Sequence, residues 1–385
     1  MPKLKLLSLF CFLLVLVANP ASGQVPKPSP SPSPKATPPR NEDQESVHIF
    51  TEEVRLPVLA VDQFGHFDPS FELNDILVLE DGVPQQIKSV RHIPASVLIL
   101  LDMGGEMSLA KSTKATREIA LRLLGKLKEG DSISVMQFSE KVEVLQDWTA
   151  DKAAIARVLN TKLSGGRRAR LSEGITGAVE RLREVPAGSR HLVIISDGVE
   201  TPGGKIRYED AVKELVATQA TVHVISYSGL VRAAVEKRYT KSILKGGSGV
   251  PKDSNPLSNP VANGDPTRPP GTNTSPQYSL MTIDTDRKMR RWFRDYAKAT
   301  VASEQRMTTL VAETGGRISV PQSFDDMLKQ SDEVAREIGA QYVVTYRPAR
   351  PLSESKPGEY RRIEVASRRV GLHLSARRGY VTTQP

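Results

Sequence analysis

Two short stretches end an apolar run on a carboxylate. Val97-Leu98-Ile99-Leu100-Leu101 leads into Asp102 and then Met103-Gly104-Gly105-Glu106, and His191-Leu192-Val193-Ile194-Ile195 leads into Ser196-Asp197-Gly198. An apolar run closed by a glycine-containing turn suits a strand buried on both faces, with the acid emerging at its C-terminal end. In an open parallel sheet those ends carry the loops that display functional groups. Asp102 and Asp197 are therefore expected on one sheet edge, with Glu106 just behind. Three kinds of chemistry are open to them. They could hold a hard divalent cation, Mg²⁺ or Ca²⁺, through carboxylate oxygens. They could pair with a guanidinium from Arg167, Arg168 or Arg170. Or Asp102 and Asp197 could only cap the loops and helices that follow, with Glu106 solvated.

Other reactive constellations are sparse. Gly198-Val199-Glu200-Thr201-Pro202-Gly203-Gly204-Lys205 approaches a phosphate loop, but its lysine is one residue late and Ile206 follows instead of Ser or Thr. Neither Gly-x-Ser-x-Gly nor His-Glu-x-x-His occurs. The six histidines are dispersed, and the single cysteine, Cys11, lies in an N-terminal apolar run. A non-enzymatic protein is expected. The alternative is a carboxylate-based hydrolase using Asp102, Glu106 and Asp197, since acids distant in sequence can meet in space. Arg290-Arg291-Trp292-Phe293-Arg294-Asp295-Tyr296 reads as a helix with a packed stripe and a solvated basic face.

The elements that must position the acids alternate in type. Ala115, Ile119, Leu123 and Leu127 stripe a helix expected over residues 108–128. Ile133, Val135 and Phe138 with Val142 and Val144 read as a strand pair, the second at the sheet edge. Further helical stripes follow at Leu171 to Leu182 and Tyr208 to Val216, and a buried strand at Thr221 to Ser226. Helices of this length between strands imply crossover connections and a mainly parallel, doubly wound α/β sheet covered on both faces. A helix over 286–314, a strand over 317–320 and a helix over 323–338 would complete it.

The rest of the chain is different in kind. Lys3 and Lys5, an apolar run over residues 6–18 and Ala21-Ser22-Gly23 have the three regions of a secretory signal, with cleavage expected after Gly23 and an uncleaved anchor as the alternative. No later stretch reaches the roughly 18 to 20 apolar residues of a membrane helix. Residues 24–45, rich in Pro and Ser, read as a disordered linker. Short alternating runs over 46–95 and again over 340–385 read as β strands. Neither set is comfortable alone, so they are expected to pair into one β-sandwich-like module holding the α/β domain, 96–339, as an insert. Within that domain, residues 245–280 carry Gly246-Gly247-Ser248-Gly249 and many prolines, and read as a disordered insertion.

The 385 residues are 39% hydrophobic and 25% charged, an ordinary soluble composition with room for a core. A net charge of +9 favours acidic surfaces, and with no nucleic-acid motif in an exported chain nucleic acid is not expected as the partner.

The run ending at Asp102 and the Ser196-Asp197-Gly198 turn resemble the von Willebrand factor type A (VWA) family, whose first strand ends in Asp-x-Ser-x-Ser and whose fourth ends in Thr-Asp-Gly or Ser-Asp-Gly. In that family these residues and a loop threonine surround a divalent cation, the metal-ion-dependent adhesion site. Here Gly104 and Glu106 replace the two hydroxyls, and the middle loop reads Gly165-Gly166-Arg167-Arg168-Ala169-Arg170-Leu171 with no threonine. The resemblance thus implies the fold and a degenerate metal site, in which Glu106 would stand in for a serine beside Asp102 and Asp197. A third carboxylate would weaken capture of a partner's acidic side chain. Val61-Asp62-Gln63-Phe64-Gly65 and Val78-Leu79-Glu80-Asp81-Gly82 resemble the leader before this domain in exported acidobacterial proteins. The implied role is protein or cell-surface binding in the periplasm or outside the cell.

Overall fold

The computed structural model describes residues 52–105, 111–234, 236 and 280–382, with only the helical backbone at 280–290, 292 and 293. The expected signal and linker lie outside the described residues, as do Glu106 and the 245–280 insertion except its last residue.

Strands β1 (Val54–Val61), β2 (Ile76–Glu80), β3 (Val83–Pro84) and β4 (Gln86–Arg91) precede the α/β domain. That domain opens with β5 (Ser96–Asp102), and all seven β5 residues are buried. A pleated strand turns successive side chains to opposite faces. Val97, Ile99 and Leu101 accordingly enter one core, and Leu98 and Leu100 the other. After β5 come helix α1 (Thr113–Lys126), β6 (Ser132–Phe138), β7 (Val142–Thr149), α2 (Lys152–Thr161), α3 (Leu171–Arg183), β8 (Arg190–Ser196), α4 (Tyr208–Ala217) and β9 (Thr221–Ser226). The domain closes with α5 (Leu280–Thr314), β10 (Ile318–Ser319) and α6 (Phe324–Ala340).

The six strands are ordered β10-β9-β8-β5-β6-β7. All neighbours are parallel except β7, which runs antiparallel at the edge. Helices α1, α2 and α6 cover one face through Ile119, Leu123, Ile155, Met327 and Val334. Helices α3, α4 and α5 cover the other through Ile175, Leu182, Leu215 and Leu310. This is the mainly parallel α/β architecture that the strand and helix alternation implies.

Two details depart from the sequence reading. Helix α1 begins at Thr113 and not near 108, because the Ser112 backbone is extended and its side chain accepts from Ala115 N, an N-cap that ends the helix there. Lys111 therefore precedes the helix. Helix α2 had no counterpart in that reading. It is capped by Asp151, which accepts from Ala153 N and Ala154 N, and its buried face is only Ile155, Val158 and Leu159.

Strands from both ends of the chain form the flanking module. Strands β11 (Tyr342–Arg347), β12 (Tyr360–Ser367), β13 (His373–Ala376) and β14 (Gly379–Val381) follow α6. One sheet is ordered β13-β1-β11-β4 and the other β14-β12-β2-β3. Strand β11 pairs antiparallel with both β1 and β4, so the chain leaves this module after β4 and returns to it at Tyr342. Leu56, Val58, Val78, Val344 and Ile363 from both ends build its single core.

Candidate functional site

Parallel pairing of β5 with β8 sets Leu101 opposite Ile195, which brings Asp102 and Asp197 to the same C-terminal edge of the sheet. Both are buried, Asp102 fully and Asp197 at 1% exposure. Ser196 Oγ donates to Asp102 Oδ2 at 2.6 Å and accepts from Gly198 N at 2.9 Å. Gly198 sits at φ +72°, the left-handed conformation that lets the chain reverse directly after Asp197.

A third charged group lies between the acids. Lys111 Nζ is 2.9 Å from Asp102 Oδ2 and 3.9 Å from Asp197 Oδ2, and the lysine is 1% exposed. It is the residue just before Ser112, the N-cap of α1. The remaining carboxylate oxygens also have donors. Asp102 Oδ1 accepts from Gly104 N at 3.0 Å, Asp197 Oδ1 from Val199 N at 3.0 Å, and Asp197 Oδ2 from Tyr296 Oη at 2.6 Å. Helix α5 adds a second tie, since Ser303 Oγ donates to the Asp197 carbonyl at 2.7 Å.

Burial opposes the charge on Lys111, but the nearby Asp102 and Asp197 carboxylates outweigh it and hold the ammonium above its ordinary pKa. Burial pushes the Asp102 carboxyl up, against the pull of Lys111 and with Asp197 adding to the rise. Burial also raises the pKa of the neighbouring Tyr227 phenol, which shares a 2.9 Å hydrogen bond with Thr116 Oγ1. Hydroxyl and backbone donors complete the shells of the two acids beside the Lys111 ammonium.

The middle loop closes the edge from above. Gly166 N donates to Met103 O at 2.8 Å, and Ala169 and Thr201 exchange hydrogen bonds of 2.9 Å through Ala169 N, Thr201 Oγ1, Thr201 N and Ala169 O. A Cβ on Gly104 would fall 2.0 Å from the Arg168 carbonyl oxygen. The absence of a serine hydroxyl at 104 is thus built into the packing. Arg170 turns its guanidinium to the Thr201 and Pro202 carbonyls, at 2.9 and 3.3 Å, while Arg167 and Arg168 are exposed. The cation that meets the carboxylates is Lys111 and none of the three arginines weighed from the sequence. Glu106, the third proposed ligand, lies outside the described residues.

A divalent ion does not fit this arrangement. Every oxygen of Asp102 and Asp197 already accepts from the protein, and a dication beside a buried ammonium meets repulsion that the low-dielectric interior magnifies. Among the described residues no group of three or more His, Cys, Asp or Glu could hold a metal.

Lys111 and Tyr296 are the site residues that sequence reasoning missed. The one available signal for Lys111 was Ser112, a strong N-cap residue type that would have placed the lysine outside the helix. Tyr296 was recognised as part of a packed stripe, but nothing local tied its hydroxyl to an acid 99 positions earlier.

No curated protein matches the chain. Among solved structures it is similar to BatB from Bacteroides thetaiotaomicron, at 21% identity over 34% of this chain and 65% of that one, with a TM-score of 0.29. A von Willebrand factor type A protein from Catenulispora acidiphila shares 11% identity over 82% of this chain and 74% of its own, with a TM-score of 0.40. The von Willebrand domain of the type V pili tip protein Mfa5 from Porphyromonas gingivalis shares 21% over 31% and 43%, with a TM-score of 0.26. Residues 96–252, from the first strand of the α/β sheet past Asp197, match the von Willebrand factor type A domain family. The likeness to that family covers residues 96–252, less than half of the chain.

Proposed function

We propose that this chain is an exported, non-enzymatic interaction module whose VWA domain binds a protein or cell-surface partner through the loops above Asp102 and Asp197, without a divalent ion. The observation that carries the reading is the saturation of both carboxylates by Lys111, Ser196, Tyr296 and backbone N–H groups beneath a closed loop. Acids buried and paired in this way are not available to a substrate as general acid or nucleophile, which argues against the hydrolase alternative. They are equally unavailable to a metal that would capture a partner's carboxylate. The adhesion site is degenerate on this reading.

Among the described residues, the exposed side chains at this edge include three basic ones, with the exposed Glu140 carboxylate accepting from Arg167 N at 2.7 Å beside them. Arg167, Arg168 and Lys205 lie on the two loops that Ala169 and Thr201 stitch together. A guanidinium fork recognises carboxylates in a bidentate geometry, so the expected partner presents acidic side chains. Export is supported by the basic, apolar and small-residue regions of the N-terminus, and it places the encounter in the periplasm or outside the cell. No helix among the described residues is long and apolar enough to cross a membrane.

The test is a photo-crosslinking residue placed at Arg168 or, as control, at Glu129 on the opposite end of the domain, in the cells that make the protein. Adducts specific to position 168 that survive chelator and disappear on Arg167→Glu support the reading. Adducts that need added Mg²⁺ or Ca²⁺ contradict it.

A further inference from the structure

We infer that the ammonium of Lys111 is the resident cation of this VWA edge, a tethered positive charge in place of a divalent ion, so that the site assembles without metal. This concerns what holds the edge together; it rests on the metal-free part of the reading above and is independent of which partner binds.

Three observations carry it. Lys111 is almost fully buried, and lysine is rarely so unless paired. Its Nζ reaches both acids, at 2.9 and 3.9 Å, and not one alone, as a cation shared by two strands must. The surrounding donors complete the acids' shells: Ser196 joins β8 to Asp102, and Tyr296 joins α5 to Asp197. Removing the lysine would therefore leave two buried carboxylates with hydroxyl neighbours and no counter-charge. Carboxylate and hydroxyl oxygens are what a hard divalent ion accepts as ligands.

Being covalently attached, the charge cannot be extracted by chelators or diluted away. Being buried, it cannot be reached by a partner's carboxylate. Cation supply then plays no part in regulating this edge.

Thermal melts of the protein, in chelator and in millimolar Mn²⁺, test the inference. Wild type should melt at the same temperature in both. Lys111→Ser should melt about 10 °C lower in chelator, because it strands two buried acids, and should recover in Mn²⁺. Lys111→Ser/Asp102→Asn should not respond to Mn²⁺. The inference is overturned if Lys111→Ser melts like wild type, if Mn²⁺ fails to raise it, or if wild type itself gains stability in Mn²⁺ through Asp102. Should Lys111→Ser not fold, amine labelling of wild type read by mass spectrometry decides the matter. Lys111 is expected to stay unlabelled with and without Mn²⁺, and labelling that appears on adding Mn²⁺ overturns the inference.

Discussion

Tyr296 donates a 2.6 Å hydrogen bond to Asp197, joining the helix at the end of the α/β domain to the acid at the end of its β8 strand. A donor to a buried carboxylate contributes more than one in water, because the acid it leaves behind has no solvent to turn to. Tyr296→Phe keeps the ring and removes the hydroxyl. We expect a loss of about 1–3 kcal/mol in urea-unfolding stability. An unchanged midpoint and slope would show that Asp197 does not rely on this donor.

Restoring the family's serine at position 104 should fail. The Arg168 carbonyl oxygen stands 2.0 Å from where a Cβ would be, and backbone cannot yield as a flexible side chain does. Gly104→Ser is expected to destabilise by about 1–3 kcal/mol and to confer no response to Mn²⁺. Differential scanning calorimetry with and without the ion reads both. A stable variant that binds metal would show the loop to be more yielding than its packing implies.

At the opposite end of the sheet, His191 and His223 stack at 5.8 Å and are each 2% exposed. Burial, with His223 adding, pushes His191 down from 6.5 to about 3, and burial, with Arg317 adding, pushes His223 down to about 4. Glu337 faces His223 Nδ1 at 3.6 Å, too far for a good hydrogen bond. The unfolded chain takes up these protons as pH falls through 6.5, and the folded chain does so only near 4 and 3. Their contribution to stability is thus complete above the unfolded value and is lost as pH falls toward the folded ones, by about 1.4 kcal/mol per pH unit for each histidine. A His191→Leu/His223→Leu variant should show a shallower fall of melting temperature between neutral pH and the folded values than wild type. Parallel curves would contradict this.

The β module has a buried pair of its own. Arg361, with no exposure, donates to Glu80 Oε1 at 2.6 Å, while Tyr346 and Tyr380 donate to Glu80 Oε2 at 2.7 and 3.1 Å. Arg361→Met leaves the Glu80 carboxylate without its counter-charge and is expected to cost about 3–5 kcal/mol. Adding Glu80→Gln should recover part of that loss, since the remaining group is then neutral. Chemical denaturation of the two variants measures it, and no recovery would show that packing, not charge, is what Arg361 supplies.

How far the sequence could be read depends on whether a feature is local. An apolar run ending in Asp, a turn glycine and helical stripes each report on neighbours within a few residues, so the parallel sheet and the shared edge of Asp102 and Asp197 were legible. The four-residue stripe of α1 was legible too, but apolar periodicity does not mark where a helix starts. With the helix extended to residue 108, Lys111 fell among its polar residues. In the fold it is the most buried cation of the edge. Helix α2 escaped because three buried residues make a weak stripe, and its start is set by the Asp151 cap. Tyr296 and the Arg168 carbonyl reach the site through tertiary packing that no local pattern encodes.

The most direct measurement is a crystal structure of the protein grown in millimolar Mn²⁺, with anomalous data collected to locate the ion. The account predicts Lys111 Nζ between Asp102 and Asp197 and no manganese peak between these acids. A manganese ion bound to Asp102, with Lys111 turned away, would contradict it.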